Sequence, residues 1–440
     1  MKHFTKIILV SLTFWAFAFP AQGQDAPRTL KDLWAILDQQ NLSLQQLEAQ
    51  IKGLENFQKS EKADYFPTIR LQGNAAHVSE VASLELPFIL PGQPPVQIEA
   101  GVKNQYDIAL TAVQPIFTGF RTRNRVKLAK AQLQARQEAL ESLRNQLKLQ
   151  VAQVYYNLRL LQLQKAIYHS SQKRWELAKR IVDQKFKLKQ ATAFDTLNVA
   201  RQLIRIQSHL AEADNQYQKL KNGLAALLNL EDVDNFEFKE EPLNQPVIRP
   251  LSFYLQEALA RRAELNSEKH QIAAARFQKQ IVRSGYLPQI NASISYHYAR
   301  PGINFFKDEW MDYYQAGVSF SWELWHRGKR QAQVRQVNWQ LKQARLKLNE
   351  TEAKIRREVK DAYQELLHSR QQLEISRNLL QREEQRYRLA AALFEKGQIG
   401  ILDLSATENE LTGAQLNYNI RQAQFSLAWH NLQFASGNFR

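Results

Sequence analysis

Residues 395–411 read EKGQIGILDLSATENEL, and they close a stretch, Lys329 to Lys396, that contains neither glycine nor proline. A run this long without a helix breaker predicts one continuous helix. Gly397 then closes that helix, and Asp403 stands as N-cap of a returning one. A near echo lies at residues 187–203, KLKQATAFDTLNVARQL, where Asp195 falls on Asp403, Gln190 on Gln398, Phe194 on Leu402 and Leu203 on Leu411. Self-similarity at one fixed offset makes the chain two copies of one unit rather than two unrelated domains.

Within the second run, Val337, Leu341, Ala344 and Leu348, and later Ile355, Val359, Ala362 and Leu366, recur at steps of three and four, with Gln, Arg, Lys and Glu between them. That is the seam of a coiled coil, and so narrow a stripe packs on slender neighbours instead of a thick core. At 1.5 Å per residue the run makes a rod about 100 Å long. The stretch from Arg121 to Lys189 gives a second rod of the same kind.

Each rod follows a pair of segments with a different period. YYQAGVSFSWELW (313–325) places Tyr314, Ala316, Val318, Phe320, Trp322 and Leu324 on one side and Gln, Gly, Ser and Glu on the other. LPQINASISYHYA (287–299) alternates likewise through Ile290, Ile294, Tyr296 and Tyr298. The first copy has FPTIRLQGNAA (66–76) and YDIALTAVQPIF (106–117), joined by a longer loop that includes LPFILPGQPPV (86–96). Apolar and aromatic residues on one face with small polar residues on the other match lipid-outside, water-inside barrel strands, with Phe320, Trp322, Trp325, Tyr296 and Tyr298 as the lipid-facing belt. Four strands cannot close a barrel around an aqueous bore, and an open edge in lipid is not allowed. The expected solution is a barrel shared among subunits, in which three copies supply twelve strands.

Shorter helices lead into the strands at 30–65 and 251–286, and EDVDNFEFKEEPLNQPVIRP (231–250), rich in acid and proline, links the two copies. The expected layout is a leader at 1–23, a first repeat at 24–230, the link at 231–250 and a second repeat at 251–440. The leader expectation rests on Lys2 and Lys6 ahead of the apolar run Ile7–Phe19 and the small-residue end Ala21-Gln22-Gly23. Export follows from it.

Chemistry finds little support in this chain. There is no cysteine, which rules out disulfides, thiolate catalysis and a lipid-modified N-terminal cysteine. The nine histidines are scattered without ligand spacing, and no phosphate-binding glycine loop occurs. The expectation is no enzyme, no cofactor and no metal. The net charge of +16 raises nucleic acid as a partner, yet export removes the chain from that partner, and the basic residues are spread along helical faces.

Paired helices, a strand pair, the junctions IFTGFRTR (116–123) and LWHRGKRQ (324–331) with Gly119 and Gly328, the strand entries Phe66-Pro67 and Leu287-Pro288, a long rod and a turn with aspartate all occur twice in the same order. This resembles the TolC family of outer-membrane efflux channels across essentially the whole chain after the leader. The resemblance implies a mainly α-helical homotrimer with a shared 12-stranded transmembrane β-barrel that continues into a periplasmic helical tunnel. It also implies a passive duct for a tripartite efflux pump or type I secretion system, docked through a periplasmic adaptor to an inner-membrane transporter of the RND, ABC or MFS class. Carried over residue by residue, Asp403, Asp195 and Glu410 would stand at the pore constriction, and Lys189, Gln190, Thr192, Gly397, Gln398 and Gly400 would form the tip turns that meet the adaptor. The family pattern has a second aspartate three residues after the first; here that place is Ala406, and the first-copy turn carries Lys185, Lys187 and Lys189 instead of a glycine. A periplasmic adaptor or structural envelope protein is the rival class, and it would share the long hairpins without needing duplicated amphipathic strands.

Overall fold

A computed structural model describes residues 27–86, 96–239 and 247–439. The expected leader, most of LPFILPGQPPV and the middle of the link 231–250 lie outside the described residues.

The first unit runs β1 (Pro27–Arg28), α1 (Leu30–Gln40), α2 (Leu42–Ala63), β2 (Thr68–His77), β3 (Ala82–Leu86), β4 (Val96–Ala100), β5 (Asn104–Phe117), α3 (Arg121–Lys187) and α4 (Ala193–Leu228). After β6 (Glu237–Phe238) the second unit repeats it as α5 (Leu251–Arg261), α6 (Ala263–Ser284), β7 (Gln289–Arg300), β8 (Met311–Ser321), α7 (Lys329–Glu395) and α8 (Ile401–Ala435). The helices correspond in length: 11 residues for α1 and α5, 22 for α2 and α6, and 67 for α3 and α7. The main departure is the antiparallel β3–β4 hairpin, where the sequence suggested only a loop.

The break between each pair of short helices is held by different chemistry in the two units. Asn41 caps α2, its Oδ1 accepting from the Ser43 and Leu44 N–H groups, while its Nδ2 donates to the Leu227 carbonyl at 2.8 Å. In the second unit Arg262 takes that place. Its buried guanidinium meets Glu264 at 2.9 Å and Glu358 at 3.0 Å and donates to the Ala435 carbonyl. A charge this buried is tolerable only with such partners.

Three thin apolar clusters string along the rods in place of one thick core. One gathers α1, the middle of α3 and the end of α4 around Trp34, Tyr155 and Leu158. A second joins α5, α7 and the end of α8 around Tyr254, Ile355 and Leu366. The third lies where all four long helices turn, and unites Trp175, Val182 and Val199 with Phe394, Ile401 and Leu404. The two hairpins therefore end together.

At the other end, β2, β5, β7 and β8 form one antiparallel sheet in the order β2-β5-β7-β8, so the two units join at β5–β7. The register shifts between Pro115 and Phe117, where proline has no N–H to give the ladder. β8 stops at Ser321 rather than running on to Trp325. The chain leaves the sheet because the Trp322 indole donates to the Tyr286 carbonyl at 3.0 Å and Glu323 turns to Arg330 and His326.

The register assembles the expected faces. Leu71 lies opposite Leu110, which lies opposite Tyr296, which lies opposite Tyr314. All four are exposed, Tyr314 by 76%. The other face carries Arg70, Thr111, Ser295 and Gln315 in the same cross-strand manner. There His297 stacks on Tyr313 at 4.9 Å and sits 3.0 Å from Asp107. No described helix is long and apolar enough to cross a membrane.

Candidate functional site

Two places carry the expected functional residues: the turn end of the rods and the sheet with its junctions.

At the first turn, Lys189 takes a left-handed backbone (φ 60°) and Thr192 caps α4. The Asp195 carboxylate accepts from the Thr192 N–H and hydroxyl, both at 2.8 Å, and the Thr192 hydroxyl accepts in return from the Asp195 N–H. This reciprocal box fixes Asp195 as the third helical residue that answers the Thr192 cap. Phe194 and Leu197 beside it are exposed, as are Lys189 and Gln190.

At the second turn, Gly397 has φ 75° and Gly400, not Asp403, is the N-cap of α8. Asp403 lies three residues on and accepts from the Gly400 N–H at 3.3 Å, with no side chain on Gly400 to reciprocate. The second box is thus half of the first. The longer contact leaves the Asp403 carboxylate exposed and less committed than that of Asp195. Ala406 and Glu410 are also exposed, while Gln398 stands in the turn itself.

Of the three lysines at the first turn, Lys185 is the one that reaches the second hairpin. Its Nζ donates to the Phe394 carbonyl at 2.9 Å and lies 4.6 Å from the Phe394 ring centroid. A cation on the carbonyl end of α7 is well placed against the helix dipole. Lys185 is thereby committed to the end of α7.

The buried acid of this region was not anticipated. Glu408, on α8, is 3% exposed. Its Oε1 accepts from the Ser171 hydroxyl at 2.6 Å, the Arg174 guanidinium at 2.8 and 3.1 Å, and the Thr412 hydroxyl at 2.9 Å, while its Oε2 accepts from the Trp175 indole at 2.9 Å. Arg174 also faces the Tyr387 ring on α7. These bonds tie α3 of the first unit to α7 and α8 of the second. The signal was a charge at a seam position, since Glu408 lies between Leu404 and Leu411 on the buried stripe of α8. A buried charge in an apolar seam requires partners.

The junctions between sheet and rods are unequal. Gly119 has φ +61°, and a Cβ there would meet the Ser284 carbonyl oxygen at 2.8 Å and the Leu287 Cβ at 2.9 Å. Gly328 has φ +76°, but a Cβ would meet only the end of Gln331, at 3.9 Å. Only the first junction forbids a side chain by contact. Pro67 and Pro288 stand directly before β2 and β7. The belt residues Phe320, Trp322, Trp325, Tyr296 and Tyr298 are all exposed, Trp325 by 77%.

The sequence matches the family model described as outer membrane efflux protein over residues 35–230 and 254–438. The chain belongs to that family. The gap between the two matched segments takes in the stretch that links the two units and the first residues of α5. This outer membrane efflux protein is a channel of the Gram-negative outer membrane with a periplasmic helical part, not an enzyme. No curated protein matches its sequence significantly. Among solved structures, the outer-membrane channel OprN superposes with a TM-score of 0.77 at 16% identity, over 93% of this chain and 90% of that one. The outer membrane protein VceC of Vibrio cholerae gives 0.75 at 19%, over 93% and 97%. The open state of the MtrE outer membrane channel of Neisseria gonorrhoeae gives 0.72 at 16%, over 93% and 89%. These likenesses concern the fold.

Proposed function

We propose that three copies of this chain close one barrel and act as the exit duct of a tripartite efflux pump, docked through a periplasmic adaptor to an inner-membrane transporter. The observation that carries this reading is the four-stranded sheet with an exposed apolar face and, among the described residues, unpaired edges at β2 and β8. In lipid neither edge can stay open. Joining β8 of one copy to β2 of the next satisfies both at once, and three copies supply the twelve strands an aqueous bore needs.

The two repeats, 24–230 and 251–440 with the link 231–250 between them, then alternate around the axis and place six long hairpins in one tube. The tip turns, with Lys189, Gln190, Thr192, Gly397, Gln398 and Gly400, are the surface offered to the adaptor. Asp403 would ring the closed end, with Glu410 further along the same helix; Asp195, locked in its capping box, serves the turn instead. Selection of cargo would lie with the inner-membrane partner, whether an RND, ABC or MFS-type transporter. A type I secretion system would use the same duct.

Because the chain has no cysteine, the assembly can be tested with introduced pairs. Cysteines placed along β2 (at Gln72) and β8 (at Gly317, Gln315 or Ser319 in turn) should give disulfide-linked dimers and trimers on mild oxidation in the outer membrane. Failure of every pair to link chains would remove the shared barrel and return the rival reading of a periplasmic coiled-coil protein.

A further inference from the structure

The end of the sheet away from the rods carries an apolar loop. Residues 301–310, PGINFFKDEW, join β7 to β8, and four of their side chains are large, apolar and exposed: Ile303 by 66%, Phe305 by 48%, Phe306 by 59% and Trp310 by 44%. The loop is folded. The Phe306 and Lys307 N–H groups donate to the side chain and carbonyl of Asn304, each at 3.2 Å, and Phe305 and Phe306 pack with ring centroids 4.4 Å apart.

Its second half is pinned to the apolar face of the sheet. Arg300, opposite Tyr106 in the β5–β7 register, grips Asp308 with two bonds of 2.7 Å. The Trp310 ring stacks on Tyr298 at 4.7 Å and on Tyr106 at 6.0 Å. Tyr106 and Tyr298 belong to the face that carries Ile108, Leu110 and Tyr296. The loop thus continues the lipid-facing surface instead of folding over the polar face. An exposed apolar patch continuous with a lipid-facing belt fits the same partner.

We propose that the β7–β8 loop is a membrane anchor: Ile303, Phe305 and Phe306 lie among lipid acyl chains beside the tyrosine belt and fix the depth of the barrel. The inference rests on the barrel reading above, and it adds a lipid contact made by a loop rather than by strands. Tyr106, Tyr298 and Trp310 suit the boundary itself because one end is apolar and the other can stay wet, while Ile303, Phe305 and Phe306 are wholly apolar.

The test uses one thiol at a time in the full-length protein, at Phe305→Cys, Val318→Cys on the apolar face and Gln315→Cys on the polar face. Each is labelled with the fluorophore NBD and reconstituted into phosphatidylcholine vesicles that contain an acyl-chain spin-labelled lipid. The label at 305 should match that at 318, with blue-shifted emission and quenching at least threefold stronger by spin-labelled lipid than by aqueous iodide. The label at 315 should show the reverse. Trp310→Ala should move the label at 305 toward water while leaving the label at 318 unchanged. A label at 305 in water beside one at 318 in lipid would overturn the anchor and leave the barrel standing, whether the loop then covers the mouth or meets another protein. Labels at 305 and 318 both in water would overturn the barrel reading and the anchor with it.

Discussion

Glu408 stands in an apolar seam with both carboxylate oxygens bonded, and its charged partner Arg174 comes from a helix 234 positions away in the chain. Glu408→Ala should leave the Arg174 guanidinium and the Trp175 indole without their acceptor and lower stability by about 3 kcal/mol. The double variant Glu408→Leu, Arg174→Leu should recover most of that loss in thermal unfolding of the assembled protein. His430 gives a residue-scale test with a pH sign. Burial pushes its imidazole down to about 4, beside the Tyr156 hydroxyl and the Trp34 ring. The fold therefore disfavours the protonated form, so its contribution is intact above the ordinary pKa near 6.5 and is lost as pH falls from there toward 4. His430→Gln should flatten the dependence of Tm on pH between 6.5 and 4. An unchanged slope would show that other groups set acid sensitivity. At the tip, Asp403→Asn should weaken block of single channels by divalent cations, whereas Asp195→Ala should act on stability through its lost capping box. Equal block in the Asp403→Asn variant and wild type would mean that the constriction lies elsewhere.

At the scale of elements, the two strand-to-helix junctions separate steric need from backbone preference. Gly119→Ala should prevent correct docking of α3 against the turn at Ser284–Leu287 and sharply reduce assembled protein in the outer membrane. Gly328→Ala, with open space around its Cβ, should cost only the left-handed backbone penalty of about 1–2 kcal/mol and still assemble. The opposite ranking of yields would contradict the packing described. The rods and strands were legible because period alone defines them: steps of three and four from Val337 to Phe394, and strict alternation at Tyr314–Phe320. The β3–β4 hairpin was not, because the apolar, proline-rich stretch at 86–96 masks any alternation across it. The end of β8 was misread as well, since Trp322 and Leu324 keep the alternation after hydrogen bonds to Tyr286 and Arg330 have drawn the chain out of the sheet. The Glu408 network was illegible for another reason: no local pattern reports a partner on a distant helix. Asp403 shows how close a local reading can come, placed at the start of α8 but as the third helical residue rather than the cap.

At the scale of the molecule, the chain is a slender object whose apolar surfaces exceed what it can cover by itself. Its three clusters hold the rods together, yet the sheet leaves β2 and β8 unpaired and shows water a face of Leu71, Tyr314, Val318 and Phe320. Two chemically similar units joined at β5–β7 give each copy one edge from each repeat, which suits closure around an axis. Deleting 289–321 should abolish insertion while leaving the helical repeats soluble, because it removes one edge and half of the lipid-facing surface. The central claim, that three chains share one barrel continued by a helical duct, is tested most directly by native mass spectrometry of the protein extracted from the outer membrane in detergent. The account predicts a single species of three chains. A folded monomer of one chain that conducts ions in a planar bilayer would contradict it.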